Sequence, residues 1–177
     1  MLSKEWMIYG ANGYTGRLLV RLAKKRGLQP ILAGRSQEVE TLAKEHHLKS
    51  KIFSIDDVSH IASHIAGVSL IVNCAGPFSK TAEKMMRACL KTSAHYIDIT
   101  GEISIFELAN KLDNEALNSN IVLCPGVGSD VIPTDCLAAY LKDKLPDATH
   151  LKMAWATKGS KSSKGCLLYT SDAADDV

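Results

Sequence analysis

Acidic side chains are absent from a long early stretch: between Trp6 and Gln37 there is no Asp or Glu. Cysteines number five, at 74, 89, 124, 136 and 166, and no two of them stand at metal-ligand spacing. An odd, dispersed set excludes a disulfide framework and reads as reduced thiols, so the expectation is a cytoplasmic protein. Met1-Leu2-Ser3-Lys4-Glu5 has neither the apolar stretch nor the cleavage site of a secretory leader. A long apolar run is also lacking. Residues 58–79 carry no Lys, Arg, Asp or Glu, but they include His60, Ser63, His64, Asn73 and Pro77 and break at Gly67. That composition fits a short helix and a buried strand, not a transmembrane segment. Net charge is small: 21 basic against 19 acidic residues leaves +2, which argues against nucleic acid as a partner. What is present is ordinary globular material, 46% apolar and 23% charged over 177 residues, and this rules out a disordered or fibrous chain. There is no internal repeat and no low-complexity linker.

Six strand-like apolar runs alternate with helical patterns. The strands are expected at residues 6–9, 30–33, 51–55, 68–72, 95–99 and 121–124. Leu18, Leu19, Leu22 and Ala23 mark one face of a first helix that closes near Gly27. Ser36 is the expected N-cap of the second. Further helices are expected over 81–91, 103–117 and 134–145. Strict alternation with short connections predicts an α/β fold, a doubly wound parallel sheet of the nucleotide-binding (Rossmann) type.

Between the first strand and first helix stands Gly10-Ala11-Asn12-Gly13-Tyr14-Thr15-Gly16. Glycines there permit a tight turn and let backbone approach a pyrophosphate, whose charge meets the N–H groups opening the helix. The glycine spacing is three-and-three, a variant of the usual two-and-three fingerprint. The second strand ends in Gly34-Arg35-Ser36. An NAD-preferring site places an acid there for the ribose 2′-OH; a guanidinium and a hydroxyl instead suit a 2′-phosphate, so the expected cofactor is NADP. Asp56-Asp57 follows the third strand, and Asp57 either faces the adenine or caps the next helix. Asn73-Cys74-Ala75-Gly76-Pro77-Phe78 follows the fourth strand. Its small residues Cys74, Ala75 and Gly76 allow close approach to the nicotinamide ribose while Pro77 and Phe78 shape a wall; alternatively the segment is a rigid turn.

These segments, together with Leu32-Ala33, Tyr96-Ile97-Asp98-Ile99-Thr100-Gly101-Glu102 and Pro125-Gly126-Val127-Gly128, resemble the NADP-binding domain of saccharopine dehydrogenase-like oxidoreductases, including the trans-acting enoyl reductase relatives. The resemblance spans residues 5–165 and departs at Ser129, where such proteins often carry an aromatic residue. It implies an NADP-dependent reductase with a larger second domain after the sixth strand, acting on a small-molecule or lipid substrate. Binding of NADP without turnover, as in a regulatory sensor, is the alternative.

Candidate chemistry is thinner. Asp98, Thr100 and Glu102 stand at the end of the fifth strand, near the expected nicotinamide. Glu102 either orients substrate and relays a proton or compensates a helix dipole; Asp98 and Glu102 are the catalytic candidates. Asp130 and Asp135 flank Pro133, and Asp135 reads as a first-turn charge. Tyr140 and Lys144 have the spacing of the short-chain dehydrogenase pair, but they follow the sixth strand and not the fifth. Tyr140 reads instead as a neighbour of a buried stripe formed by Leu137, Leu141 and Leu145. His60 and His64 share a helix face without a third ligand, and no metal site is expected. Lys24-Lys25-Arg26 suits a helix C-terminus.

The C-terminal region has a different character. Residues 151–156 look like the first strand of another sheet, and 162–165 resemble a turn of the family. Cys166-Leu167-Leu168-Tyr169-Thr170-Ser171-Asp172-Ala173-Ala174-Asp175 resembles the translation of a transposase sequencing adapter. The expected organisation is therefore a binding domain over 1–148, the start of a second domain over 149–165, and a non-native tail over 166–177.

Overall fold

A computed structural model describes residues 5–129 and 131–154. Six strands form one parallel sheet: β1 (Glu5–Tyr9), β2 (Ile31–Gly34), β3 (Ser50–Ile52), β4 (Val68–Asn73), β5 (His95–Asp98) and β6 (Leu123–Cys124). Their spatial order is β3-β2-β1-β4-β5-β6. The chain winds outward from β1 in one direction, returns, and winds outward from β4 in the other. The switch point of such a sheet lies between β1 and β4, and ligands bind beyond the carboxyl ends of the strands there. Register is set by the central pair, with Ile8 opposite both Leu32 and Val72.

Alternation along the strands sorts the two faces. Ile8, Leu32 and Val72 pack with Val20 of α1 (Tyr14–Lys25) and with Val39, Leu42 and Ala43 of α2 (Glu38–His46). Ile8, Leu32, Val20 and Val39 are fully buried, each worth roughly 1.5–3 kcal/mol of transfer free energy. Residues one step along point to the opposite face, where Asn73 and Tyr96 hydrogen-bond beneath α4 (Phe78–Thr92). α3 (Val58–Ile65) and α5 (Ile103–Lys111) pack against α4. The doubly wound expectation is met.

Several boundaries differ from the sequence expectation, each for a local reason. β3 ends at Ile52, not 55, because Phe53 turns inward to 4% exposure and Ser54 Oγ closes a turn on Asp56. α4 starts three residues early, at Phe78, because Glu102 caps its first turn from across the loop. The single helix expected over 103–117 is two, α5 and α6 (Asp113–Asn118), which meet at the buried Leu112. β6 keeps only two residues, although Tyr96 N–H still donates to Val122 O at 2.9 Å. Gln37, not Ser36, is the N-cap of α2, and Ser36 Oγ accepts from the Glu38 N–H at 3.3 Å.

By internal contacts the chain falls into two compact units, one up to Gly128 and one from Ser129 onward. In the second, α7 (Ile132–Lys144) has no buried residue: Leu137 is 52%, Tyr140 59% and Leu145 60% exposed. Among the described residues Leu137, Leu141 and Leu145 are exposed, where a buried stripe is expected. Asp135 lies in its first turn, as expected. Residues 151–154 are in neither helix nor strand. Asp130, Trp155, Ala156, the turn at 162–165 and the tail at 166–177 lie outside the described residues. No helix among the described residues is long and apolar enough to cross a membrane.

Candidate functional site

The carboxyl ends of β2, β1 and β4 carry three loops that close on one another through bare glycine backbone. Gly10 leaves β1 with φ +79°, a conformation that costs a side chain dearly. Its N–H and that of Ala11 both donate to Ala33 O of β2, at 2.8 and 3.1 Å. A Cβ on Gly10 would stand 3.0 Å from Ala75 N and from Cys74 C, so the loop after β4 lies directly against the glycine loop. A Cβ on Gly16 would stand 2.2 Å from Gly10 O and 2.8 Å from Ala11. α1 therefore begins in contact with the end of β1. One on Gly34 would stand 3.4 Å from Asn12 Oδ1, which brings the end of β2 to the same place.

Within this cradle Ala11 is fully buried, while Gly13, Tyr14 and Thr15 are exposed at the mouth. Gly13 is the N-cap of α1, and neither a capping side chain nor a first-turn acid competes for the helix N-terminus. Backbone N–H groups and the helix dipole are thus left for an anion. Arg17 Nε donates to Asn12 O at 3.0 Å and holds the loop from outside.

The loop after β4 rests on a buried polar relay that sequence reasoning did not anticipate. Asn73 Oδ1 accepts from Ala75 N–H at 3.0 Å, and Asn73 Nδ2 donates to Tyr96 OH at 3.2 Å and Thr81 Oγ1 at 3.4 Å. Thr81 Oγ1 donates to Ala75 O at 2.7 Å. Tyr96 OH in turn donates to Asp98 Oδ2 at 2.7 Å, while Asp98 Oδ1 accepts from Thr100 N–H and Gly126 N–H at 3.0 and 2.9 Å. No buried side-chain polar atom among the described residues lacks a partner. Burial pushes the Asp98 carboxyl above its usual value against these donors, and it pushes the Tyr96 hydroxyl up as well. A signal was available: a polar Asn and Tyr in two central strands must find partners when buried.

Each predicted site residue can be placed on this frame. Gly10, Ala11, Asn12, Gly13, Tyr14, Thr15 and Gly16 form the cradle. Cys74 and Ala75 back it, Gly76 and Pro77 are the exposed rim, and Phe78 turns into the core at 3% exposure. The Cys74 thiol is pushed up to about 12 by burial and by the Asp98 charge, so it stays protonated at neutral pH. Arg35 is exposed and Ser36 partly so, directly after the end of β2. Asp57 caps α3: its Oδ1 accepts from Ser59 and His60 N–H at 2.8 and 2.9 Å. These bonds, that to His60 first, lower its carboxyl below the usual range.

The family model described as "Saccharopine dehydrogenase NADP binding domain" matches residues 6–123. The chain belongs to this family. That stretch runs from Trp6, the second residue of β1, into β6, and it contains the whole cradle. NADP is the cofactor of the domain, and the bare glycine contacts and uncapped α1 N-terminus fit its pyrophosphate. A human saccharopine dehydrogenase-like oxidoreductase is 26% identical over 160 residues, 78% of this chain and 37% of that protein. A lipid droplet localized protein of Caenorhabditis elegans is 27% identical over 156 residues, 77% of this chain and 35% of its own. The chain thus spans little more than a third of these relatives. Apo saccharopine dehydrogenase (L-Glu forming) of Saccharomyces cerevisiae superposes with TM-score 0.69 at 16% identity, over 81% of this chain and 32% of that one, which shows the shared fold.

Within the family frame the two catalytic candidates are already occupied. Glu102 Oε1 and Oε2 accept from Phe78 and Ser79 N–H, both at 2.8 Å, so the carboxylate caps α4. Asp98 anchors the residues after β5 to the 125–127 turn, where Val127 N–H also donates to Asp98 O at 2.7 Å. Tyr140 and Lys144 sit on α7, the Nζ 5.5 Å from the ring centroid. The His60 and His64 rings meet at a tilt with centroids 4.4 Å apart, and no group of three metal-ligating side chains occurs among the described residues.

Proposed function

We propose that this chain is the cofactor-binding part of an NADP-dependent oxidoreductase, saccharopine dehydrogenase-like or enoyl reductase-like, acting on a small-molecule or lipid substrate. The observation that carries it is the convergence of three strand-end loops at the sheet's switch point around an uncapped helix N-terminus. When bound, NADPH supplies a hydride to an acceptor. Tyr14 and Thr15 would present backbone N–H groups to the pyrophosphate, while Gly13 N–H donates to Gly10 O at 3.0 Å and fixes the turn beneath it; Arg35 would grip the 2′-phosphate with Ser36 beside it. Cys74, Ala75, Gly76 and Pro77 offer a small-residue surface to the nicotinamide ribose. A lipid substrate draws support from the lipid droplet location in the name of the nematode relative.

A second reading, cofactor binding without turnover, is favoured by the engagement of Asp98 and Glu102 in capping and anchoring bonds. Under it the chain senses NADP and passes no proton.

Titration of the chain with NADPH and NADH, repeated with Arg35→Asp, tests the cofactor assignment. NADPH binding weakens roughly tenfold or more on charge reversal beside a phosphate, while NADH binding changes little. Equal affinities for both cofactors, indifferent to the substitution, would remove the 2′-phosphate role from Arg35. NADPH consumption with enoyl and carbonyl acceptors then separates turnover from sensing.

A further inference from the structure

Glu38 is the first acid after the long acid-free stretch, one residue beyond Gln37, and the fold carries it back onto the glycine loop. Its Oε2 accepts from Asn12 Nδ2 at 3.0 Å and lies 4.0 Å from Arg17 Nη2. Asn12 bridges two places at once: its Oδ1 lies 3.4 Å from where a Gly34 side chain would begin, while its Nδ2 holds Glu38. The carboxylate therefore stands between the pyrophosphate loop and the end of β2. In a doubly wound sheet that gap receives the adenosine ribose, and an acid about 20 residues beyond the glycine loop is what a 2′-OH binds. Glu38 is 22 residues beyond Gly16.

We infer that Glu38 sets the balance between the two cofactors, as an acceptor for the 2′-OH of NADH and a like charge set against the 2′-phosphate of NADPH. The site then carries both recognition elements, Arg35 with Ser36 for the phosphate and Glu38 for the free hydroxyl. Discrimination is their difference, and it is weaker than Arg35 alone would produce. Glu38 is 67% exposed and its partner Arg17 42%, so the ion pair adds little stability and the carboxylate is open to a ligand. The inference rests on the cofactor reading above.

Cofactor fluorescence titrations on the whole chain, Glu38→Ala and Glu38→Gln test it at low and high salt. Glu38→Ala is expected to bind NADPH roughly threefold to tenfold more tightly, from removal of a like charge a few ångströms from a phosphate. It should bind NADH roughly tenfold more weakly, from loss of a charged acceptor. Glu38→Gln keeps an acceptor, so it shares the NADPH gain and loses less NADH affinity. The NADPH gain shrinks in high salt, where the charges are screened. Opposite signs for the two cofactors are the signature, because a merely structural clasp would move both together. A parallel fall for both, or no change for either, overturns the role of Glu38 while leaving the cofactor reading intact. Failure of the unaltered chain to bind either cofactor overturns both.

Discussion

Gly16→Ala tests the cradle at its tightest point. The new Cβ would stand 2.2 Å from Gly10 O and 2.8 Å from Ala11 Cα, where ordinary contact begins at 3.4 Å. Both neighbours are backbone, so no side chain can swing away, and the loop or the start of α1 must move by about 1 Å. Overpacking of this kind costs about 3 kcal/mol, at the upper end of its range. The better helix propensity of alanine returns about 1 kcal/mol, so a net loss of about 2 kcal/mol is expected. For a domain of this size that lowers the melting temperature by roughly 5–10 °C. The same shift displaces the N–H groups proposed to face the pyrophosphate. Loss of one charge-assisted hydrogen bond, about 1.5–3 kcal/mol, weakens NADPH by roughly tenfold to a hundredfold. Gly27→Ala is the control. Gly27 has φ +71° and nothing within 4 Å of an added Cβ, so it pays about 1–2 kcal/mol of left-handed strain far from the loop. Thermal unfolding and NADPH fluorescence titration on both variants should show two destabilised proteins, only one of which has lost its cofactor. An unchanged melting temperature and NADPH affinity in Gly16→Ala, or an equal loss of NADPH in Gly27→Ala, would refute the role given to the Gly16 contact.

Two further outcomes follow from the polar framework. Tyr96→Phe removes the hydroxyl that links Asn73 to Asp98 and leaves two buried groups short of a partner, at a cost of about 1–3 kcal/mol; an unchanged urea midpoint would show the relay to be dispensable. Asp57→Ala removes the α3 cap, and its effect is pH-dependent. The folded carboxyl titrates below its ordinary value, so the stabilisation is complete above the unfolded value of about 3.9 and fades as pH falls through the folded one. Urea unfolding of both proteins over a series from pH 7 into strong acid should find the wild type's advantage shrinking as pH falls; an advantage that does not change with pH argues against the charged cap.

The local meaning of several residues was legible before any fold was known. Glycines at 10, 13 and 16 after an apolar run and before a helical pattern announce a tight strand-to-helix turn and a phosphate loop, because both need backbone free of side chains at a helix start. Alternation of strands with helices announces a parallel sheet. Other residues were not legible in this way. Asp98 and Glu102 look like chemistry in the sequence, since carboxylates at a strand end face the cleft. Their partners, Gly126, Phe78 and Ser79, lie 28, 24 and 23 residues away. Only the folded chain shows that these acids hold loops in place.

Glu38 makes the same point in reverse. Read along the chain, the stretch from Trp6 to Gln37 holds no acid and predicts a site for NADP alone. In the fold, Asn12 draws the next residue, Glu38, back onto the glycine loop 26 positions away. What the sequence by itself determined is the sheet, the cradle and the cofactor class, all of which depend on periodicity and on neighbours within one turn. What the tertiary structure alone decided is which charged groups are spent on capping and which, like Glu38, are carried back onto the glycine loop. Hydrogen bonds between distant segments depend on where the strands place them, and linear order carries no record of that distance.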